Sequence, residues 1–315
     1  MKAPLFAVPL LVLLYFLWGA TYLGIRVAVE TIPPFFVGAC RYLGAGGFLL
    51  AVLFFRARLR ASRLEIKNAI VMGVLTAGIS NGAMIYSETT VDSGIVAIAF
   101  TCMPLFLLLF NSVAFEKKAP GGRDSILLLG GFTGTALVLS AGNQFRGEAL
   151  SILEWSLLVG CPMFWAIGSL WGRSVSLPKD ILVSATFQML GGGILLLLVG
   201  LLESVFIGGW DISSTTMPSL LGVLYLTTFG SLLGYTIFAY LIDSWDPQVV
   251  GTYAFVCPIV AIALGVLWGE KFLSLQVVVG SAFVIGSVAI RVLLAILFVQ
   301  KFKAKFTWGG DSDLN

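Results

Sequence analysis

Asp246–Lys271 reads DPQVVGTYAFVCPIVAIALGVLWGEK, and the same layout occurs once before, over Asp92–Lys117, as DSGIVAIAFTCMPLFLLLFNSVAFEK. Asp92, Pro104, Glu116 and Lys117 punctuate the first copy. Asp246, Pro258, Glu270 and Lys271 punctuate the second, each 154 residues after its partner. Between the marks both stretches are apolar and long enough for one bilayer-crossing helix. Four polar or proline positions that keep one offset through apolar sequence mark a duplication, and the function of a duplicated membrane chain is to be sought between its halves.

The remainder of the chain is built of the same material. It is 58% hydrophobic and 11% charged, with a mean hydropathy of +1.00, whereas soluble domains carry about 25% charged residues. Apolar segments near 7–28, 34–55, 68–89, 93–115, 125–142, 151–173, 181–203, 217–242, 248–268 and 275–298 each approach the roughly 20 residues a helix needs to cross. Unbroken apolar runs without period-two alternation exclude a β-barrel. The first segment runs past Trp18 to Tyr22 without a small-residue cleavage site, so it reads as a span and not as a signal peptide. Cys40, Cys102, Cys161 and Cys257 lie inside spans without metal-ligand spacing and read as buried packing.

The net charge of +3 does not form a nucleic-acid surface. Lys2, Arg56, Arg58, Arg60, Arg63, Lys67, Lys117, Lys118, Arg123, Arg173, Lys179, Lys301, Lys303 and Lys305 all fall on one side of a ten-span chain, while Arg146 and Lys271 fall in opposite loops. This bias places both termini in the cytoplasm of a cell (inner or plasma) membrane protein. The tail, 299–315, is expected to start along the membrane surface, with Trp308 to Asn315 disordered.

The duplication extends beyond the opening pair. LWGATYLGIR in the first span and FWAIGSLWGR in the sixth are related by an offset of 147, which also carries Arg41 onto Gln188, Gly44 onto Gly191 and Gly46 onto Gly193. The change from 147 to 154 places seven extra residues in the second half, most simply in the loop around Gly208 to Met217. Each repeat then holds five spans, 7–142 and 151–298. An odd number inserts the second repeat from the opposite face, the inverted arrangement of secondary transporters. The fold expected is an all-α membrane protein of ten helices in two inverted five-helix repeats.

The stretches LWGATYLGIRVAVETIPPFFVGACRYLGAG, SGIVAIAFTCMPLF, FGSLLGYTIFAYLI and TYAFVCPIVAIALG, the last followed by Gly-Glu, resemble the drug/metabolite transporter superfamily in its EamA-type, ten-span branch. They lie in both halves, so the resemblance covers nearly the whole chain. It implies a monomer-sized unit with a central cavity between the repeats that exports or exchanges small metabolites, among relatives that move amino acids.

An arginine in mid-span costs roughly 2.5–3.5 kcal/mol on insertion scales, so Arg41 needs a reason. It lies about 10 Å in from the start of its span at Pro34. Two readings stand: an ion pair with Glu88, or a hook for a substrate carboxylate. Asn81, Ile85 and Glu88 share one helical stripe, as do Thr101, Pro104, Leu108 and Asn111, and Thr252, Phe255 and Pro258. With Tyr235, which the 154 offset sets against Asn81, they suit a semi-polar cavity wall. Trp18, Tyr22 and Trp165 lie in mid-span, away from the usual interfacial belt, and suit the same wall. Pro104 and Pro258 remove a helix hydrogen bond at equivalent places and read as bend points. The pairs Gly78/Gly82, Gly130/Gly134, Gly168/Gly172, Gly230/Gly234 and Gly265/Gly269 read as close helix packing.

An intramembrane enzyme would need a converging acid, base, nucleophile or metal set, and the chain has no histidine. A structural or signalling membrane protein gives no reason for inverted repeats. The partners expected are a small-molecule substrate and the lipid bilayer, without nucleic acid, metal or cofactor. Oligomeric state stays open, and so does coupling: Glu88, Glu154 and Glu203 near the outer ends bind protons or meet headgroups. The topology has a direct check. In a cysteine-free background, Lys118→Cys should be labelled only from the cytoplasm and Ser213→Cys only from outside; labelling of both from one side refutes the ten-span count.

Overall fold

The computed structural model describes residues 7–116, 119–146, 150–245, 247–270 and 274–290. Lys117, Asp246, Lys271 and the 299–315 tail lie outside the described residues. In chain order the helices are α1 Ala7–Ala28, α2 Pro34–Phe55, α3 Arg63–Gly73, α4 Asn81–Ser87, α5 Ser93–Phe100, α6 Met103–Phe110, α7 Gly122–Arg146, α8 Ile152–Ser174, α9 Ile181–Ile207, α10 Met217–Tyr225, α11 Gly234–Ser244, α12 Pro247–Val250 and α13 Tyr253–Leu267, followed by α14 Leu275–Ile290. Wider π-helical turns join α3 to α4 over Val74–Ser80, and α10 to α11 over Leu226–Leu233. Two-residue breaks at Thr101–Cys102 and Gly251–Thr252 separate α5 from α6 and α12 from α13.

The fold is all-α and multi-span. Seven helical stretches among the described residues are long and apolar enough to cross a bilayer: Ala7–Ala28, Pro34–Phe55, Arg63–Ser87, Ser93–Val113, Ile152–Ser174, Ile181–Phe206 and Met217–Ser244. Beside them stand the 25-residue α7 and two shorter apolar helices, Val256–Leu267 and Leu275–Ile290. Large apolar side chains such as Phe54, Phe55, Leu202, Phe206 and Leu267 point outward, which lipid accepts and water would not. Cys40 is likewise exposed on α2, contrary to its reading as buried packing, whereas Cys102, Cys161 and Cys257 are buried.

Helix ends follow local chemistry. Ser62 with Glu65 and Ser151 with Glu154 form reciprocal capping boxes at α3 and α8, each satisfying two amide donors that a helix start leaves free. Asp180 accepts from Leu182 N at 3.0 Å and caps α9. Asp92 precedes α5 without capping it; Glu270, from the end of α13, does so instead, taking Ser93 N at 3.1 Å and Ser93 Oγ at 2.9 Å. Gly208 at φ +121° and Gly269 at φ +96° end α9 and α13 in a conformation that side chains resist. The extra residues of the second half are not confined to the loop around Gly208. The 147 offset maps the end of α2 to residue 202, yet α9 continues to Ile207, because Leu202, Val205 and Phe206 keep an apolar outer face that lipid covers. In the loop beyond, Ser213 bonds to Asp211 through Oγ and N hold that carboxyl below its usual range.

Glycine seats set the interhelix distances. Gly46 on α2 faces Leu190 on α9, and Gly193 on α9 faces Leu43 on α2. Gly78 and Gly82 face Leu195 and Leu196, Gly168 and Gly172 face Thr76 and Met72, Gly230 and Gly234 face Thr21 and Trp18, and Gly134 meets the Gly280 carbonyl on α14. The small-residue pairs in those spans therefore serve packing. α1 packs on α10, α11 and α13, while α8 packs on α3, α4 and α6. A Cβ at Gly73 would stand 2.1 Å from the Gln188 carbonyl oxygen, whereas one at Gly47 would meet nothing within 4 Å. Gly73→Ala should therefore lower stability in detergent by about 1–3 kcal/mol, read as a lower Tm. Gly47→Ala should leave the Tm unchanged or raise it.

Candidate functional site

The π-helical turn Leu226–Leu233 gathers the polar residues that sequence placed on separate spans. A wider turn loosens the backbone ladder and leaves carbonyls for side chains. Trp18 Nε1 donates to the Gly230 carbonyl at 3.1 Å, and Arg41 Nε donates to Ser231 Oγ at 3.0 Å. Around Trp18 stands an aromatic group from the far half: Tyr235 at 5.7 Å and Tyr253 at 4.7 Å, both edge-on, and Phe238 at 5.2 Å. Such edge contacts suit ring quadrupoles. Tyr15 OH meets Thr252 Oγ1 below this group.

Arg41 is 5% exposed. Its guanidinium carbon lies 4.9 Å from the Tyr42 ring centroid, and its Nη1 is buried with no hydrogen-bond partner among the described residues. The expected pair with Glu88 does not form: among the described residues the ion pair is Arg58–Asp180, at 2.5 Å. Depth explains this. Arg41 sits about 10 Å along α2 from its first residue, Pro34, whereas Glu88 closes the C-terminal end of α4. The arginine turns sideways to Ser231 instead.

Other candidates are spent on their own helices. Asn81 Nδ2 donates to the Thr76 carbonyl at 3.0 Å, the carbonyl loosened by the Val74–Ser80 π turn. Thr101 Oγ1 donates to Ala97 O and Gln188 Nε2 to Ser184 Oγ, both at 3.0 Å, and Thr252 Oγ1 donates to Val249 O. Trp165 packs edge-on to Phe100 at 5.6 Å, and Tyr22 lies in the main buried cluster. The Phe255 side chain lies outside the described residues. Pro104 is not in a helix interior: it is the second residue of α6, in the first turn after the Thr101–Cys102 break, where no helix hydrogen bond is lost. Pro258 is inside α13, and the break of its span lies earlier, at Gly251–Thr252.

Sequence reading passed over Gly230, Ser231, Tyr253 and Phe238. Gly230 reads in sequence as close packing, and Tyr253 stands beside the stripe of Thr252, Phe255 and Pro258, not on it. A polar cluster at the C-terminal end of α4 is not legible there either. Arg26 Nη1 donates to Glu88 O at 2.6 Å and to Thr89 O at 3.4 Å; Glu270 holds Ser93 beside it. Among the described residues, no group of three or more His, Cys, Asp or Glu is placed to hold a metal ion.

Two stretches of the chain, residues 5–140 and 153–303, each match the EamA-like transporter family. The chain belongs to that family. It is therefore a multi-pass membrane protein of the drug/metabolite transporter superfamily. It is 32% identical over 297 residues to the uncharacterized inner membrane transporter YedA of Escherichia coli (strain K12), covering 93% of this chain and 91% of that one. It is 25% identical over 294 residues to the uncharacterized transporter YvbV of Bacillus subtilis (strain 168), covering 89% and 90%. A solved crystal structure superposes with a TM-score of 0.62 at 16% identity, over 93% of this chain and 98% of that one, a likeness of fold.

The separation of Arg41 from Glu88 has a measurable consequence. Groups out of contact contribute additively to within about 0.3–0.5 kcal/mol. Arg41→Gln and Glu88→Gln should therefore add in an unfolding cycle, whereas Arg41→Gln and Ser231→Ala should couple by about 0.5–3 kcal/mol. Rescue of Arg41→Gln by Glu88→Gln would contradict the geometry.

Proposed function

We propose that this chain is a secondary transporter of the inner membrane. It moves a small metabolite by alternating access between two inverted five-helix repeats, 7–142 and 151–298, with both termini and the 299–315 tail cytoplasmic. One observation carries the reading: the reciprocal seat of Gly46 on Leu190 and Gly193 on Leu43. The 147 offset maps Leu43 to Leu190 and Gly46 to Gly193, so each repeat offers the other the same knob and the same hole, as a two-fold contact requires. The two separate family matches support it. So do the helix starts: Pro34 and Ile181 are 147 apart, and Arg63 and Met217, like Ser93 and Pro247, are 154 apart. The names of YedA and its relatives, as transporters, agree.

In this reading α1 and α8 are the crossing elements, each packed on the third and fourth spans of the opposite repeat. The breaks at Thr101–Cys102 and Gly251–Thr252, with Pro104 and Pro258 beyond them, let the fourth and ninth spans bend as the repeats rock. Trp18 with Tyr253 and Trp165 with Phe100 form matching aromatic walls at those breaks. The substrate is a small metabolite with an apolar or aromatic body and a carboxylate, amino acids and drug-like acids included. The carboxylate docks on the free Nη1 of Arg41, whose Nε is held by Ser231. Net direction is export or exchange.

A counterflow screen in proteoliposomes across amino acids, sugars and cationic drugs tests this reading. Carboxylates should exchange, and their amides should do so weakly. Arg41→Gln should cut exchange of acids about tenfold or more, the worth of a charge-assisted hydrogen bond. Arg41→Lys should cut it less, keeping charge without the planar fork. Absence of counterflow for every class would end the transporter reading; equal loss for acids and amides would end the carboxylate hook.

A further inference from the structure

Glu88 is the one fully buried carboxylate among the described residues, and neither of its oxygens has a hydrogen-bond partner there. The nearest cation does not answer it: Arg26 gives its Nη1 to the backbone carbonyls of Glu88 and Thr89. The groups that face it are few. Arg26 and Tyr22 act on it from α1, Cys161 from α8 and Glu270 from beyond α13, while Arg41 on α2 acts through space from a different depth without touching it. Glu270 accepts from Ser93 N and Ser93 Oγ with its two oxygens and so offers Glu88 no donor. An ionised Glu88 would therefore lie in a low-dielectric pocket, without a paired counter-ion and near a second carboxyl group. Burying an unpaired carboxylate costs several kcal/mol, and such a group takes up a proton instead.

We propose that Glu88 is a proton-binding site of this membrane protein, holding the coupling proton in the conformation described here. The proposal rests on the transporter reading above. In the closed outer end the site is the neutral acid. When the halves part and water enters, the O–H bond breaks, the proton passes to water, and the carboxylate that remains is stabilised by hydration and by Arg26. Reprotonation from the opposite side reverses the step, so one proton crosses per cycle and no other reactant is consumed. A purely structural acid would fill the same space without exchanging its proton with either side.

Two measurements on the whole protein separate these cases. In nanodiscs at neutral pH, infrared difference spectroscopy should show a protonated-carboxyl carbonyl band. That band should vanish in Glu88→Gln, persist in Glu270→Gln, and shift without vanishing in Glu88→Asp. In proteoliposomes, Glu88→Gln should lower exchange of the carboxylate with the strongest counterflow far less than it lowers driven flux, because exchange needs no net proton. Its flux driven by an imposed pH gradient should fall by about tenfold or more. A wild type without the band overturns the proposal, as does a Glu88→Gln variant that follows the pH gradient like wild type. Loss of exchange and driven flux together in both Glu88→Gln and Glu88→Asp assigns Glu88 a structural role and overturns it too. Wild type that exchanges nothing sinks the transporter reading itself, a result distinct from these.

Discussion

Helices in lipid gain little from burying apolar surface against one another, since the tails around them are as apolar as leucine. What holds this bundle together is close approach, and glycine provides it. Gly73 brings α3 so near α9 that a methyl group would overlap the Gln188 carbonyl, and Gly192 on α9 lets Ala77 and Gly78 approach within 2.5 and 2.7 Å of where its own methyl would stand. The Gly46–Leu190 and Gly193–Leu43 seats hold α2 to α9 by the same means. These contacts fix a pair of helices at the junction of the two halves, and α1 and α8 are laced across it. Every polar group in the interior is placed by reference to that frame.

A bundle so packed must also satisfy its backbone without water. The π-helical turns at Val74–Ser80 and Leu226–Leu233 and the breaks between helices release carbonyls inside the membrane, and side chains take them up. Trp18 takes Gly230 O, Asn81 takes Thr76 O, and Arg26 takes the carbonyls that close α4. The polar residues are thus largely consumed in making irregular backbone tolerable. Close packing and irregular backbone in this protein are consequences of the same few glycines, prolines and wide turns.

That division explains what sequence makes legible. Ala7–Ala28 and Pro34–Phe55 are visible to the residue because apolar runs end at charges and prolines, and the start at Ile181 follows from the 147 offset. The wide turns are not visible: Val74–Ser80 and Leu226–Leu233 have the composition of any apolar helix, and their widening depends on neighbours. Partner choice is no easier. Arg41 and Glu88 look complementary in sequence, but their depths differ by about two helical turns, and Arg41 reaches Ser231 on a span far away in the chain. Asp92 precedes α5 without capping it, and Glu270 reaches in from the other half. Long-range geometry decides these cases, and the repeat offset alone does not encode it.

The unmatched groups that remain are few and opposite in sign. Among the described residues Arg41 keeps one buried nitrogen free and Glu88 keeps two buried oxygens free. A chain that needed only to fold would pair them or replace them with apolar side chains, which is often neutral or stabilising. Instead they stand at different depths, each within reach of a different helix break or helix end. An unpaired cation holds its charge whatever surrounds it, because arginine does not release its proton; an unpaired carboxylate answers burial by becoming neutral. The same isolation is what the two proposed roles require: Arg41 as a permanent charge that an anion can meet, and Glu88 as a charge that appears only when water reaches it. On that proposal the asymmetry gives a bundle of otherwise inert helices one group that recognises and one that responds.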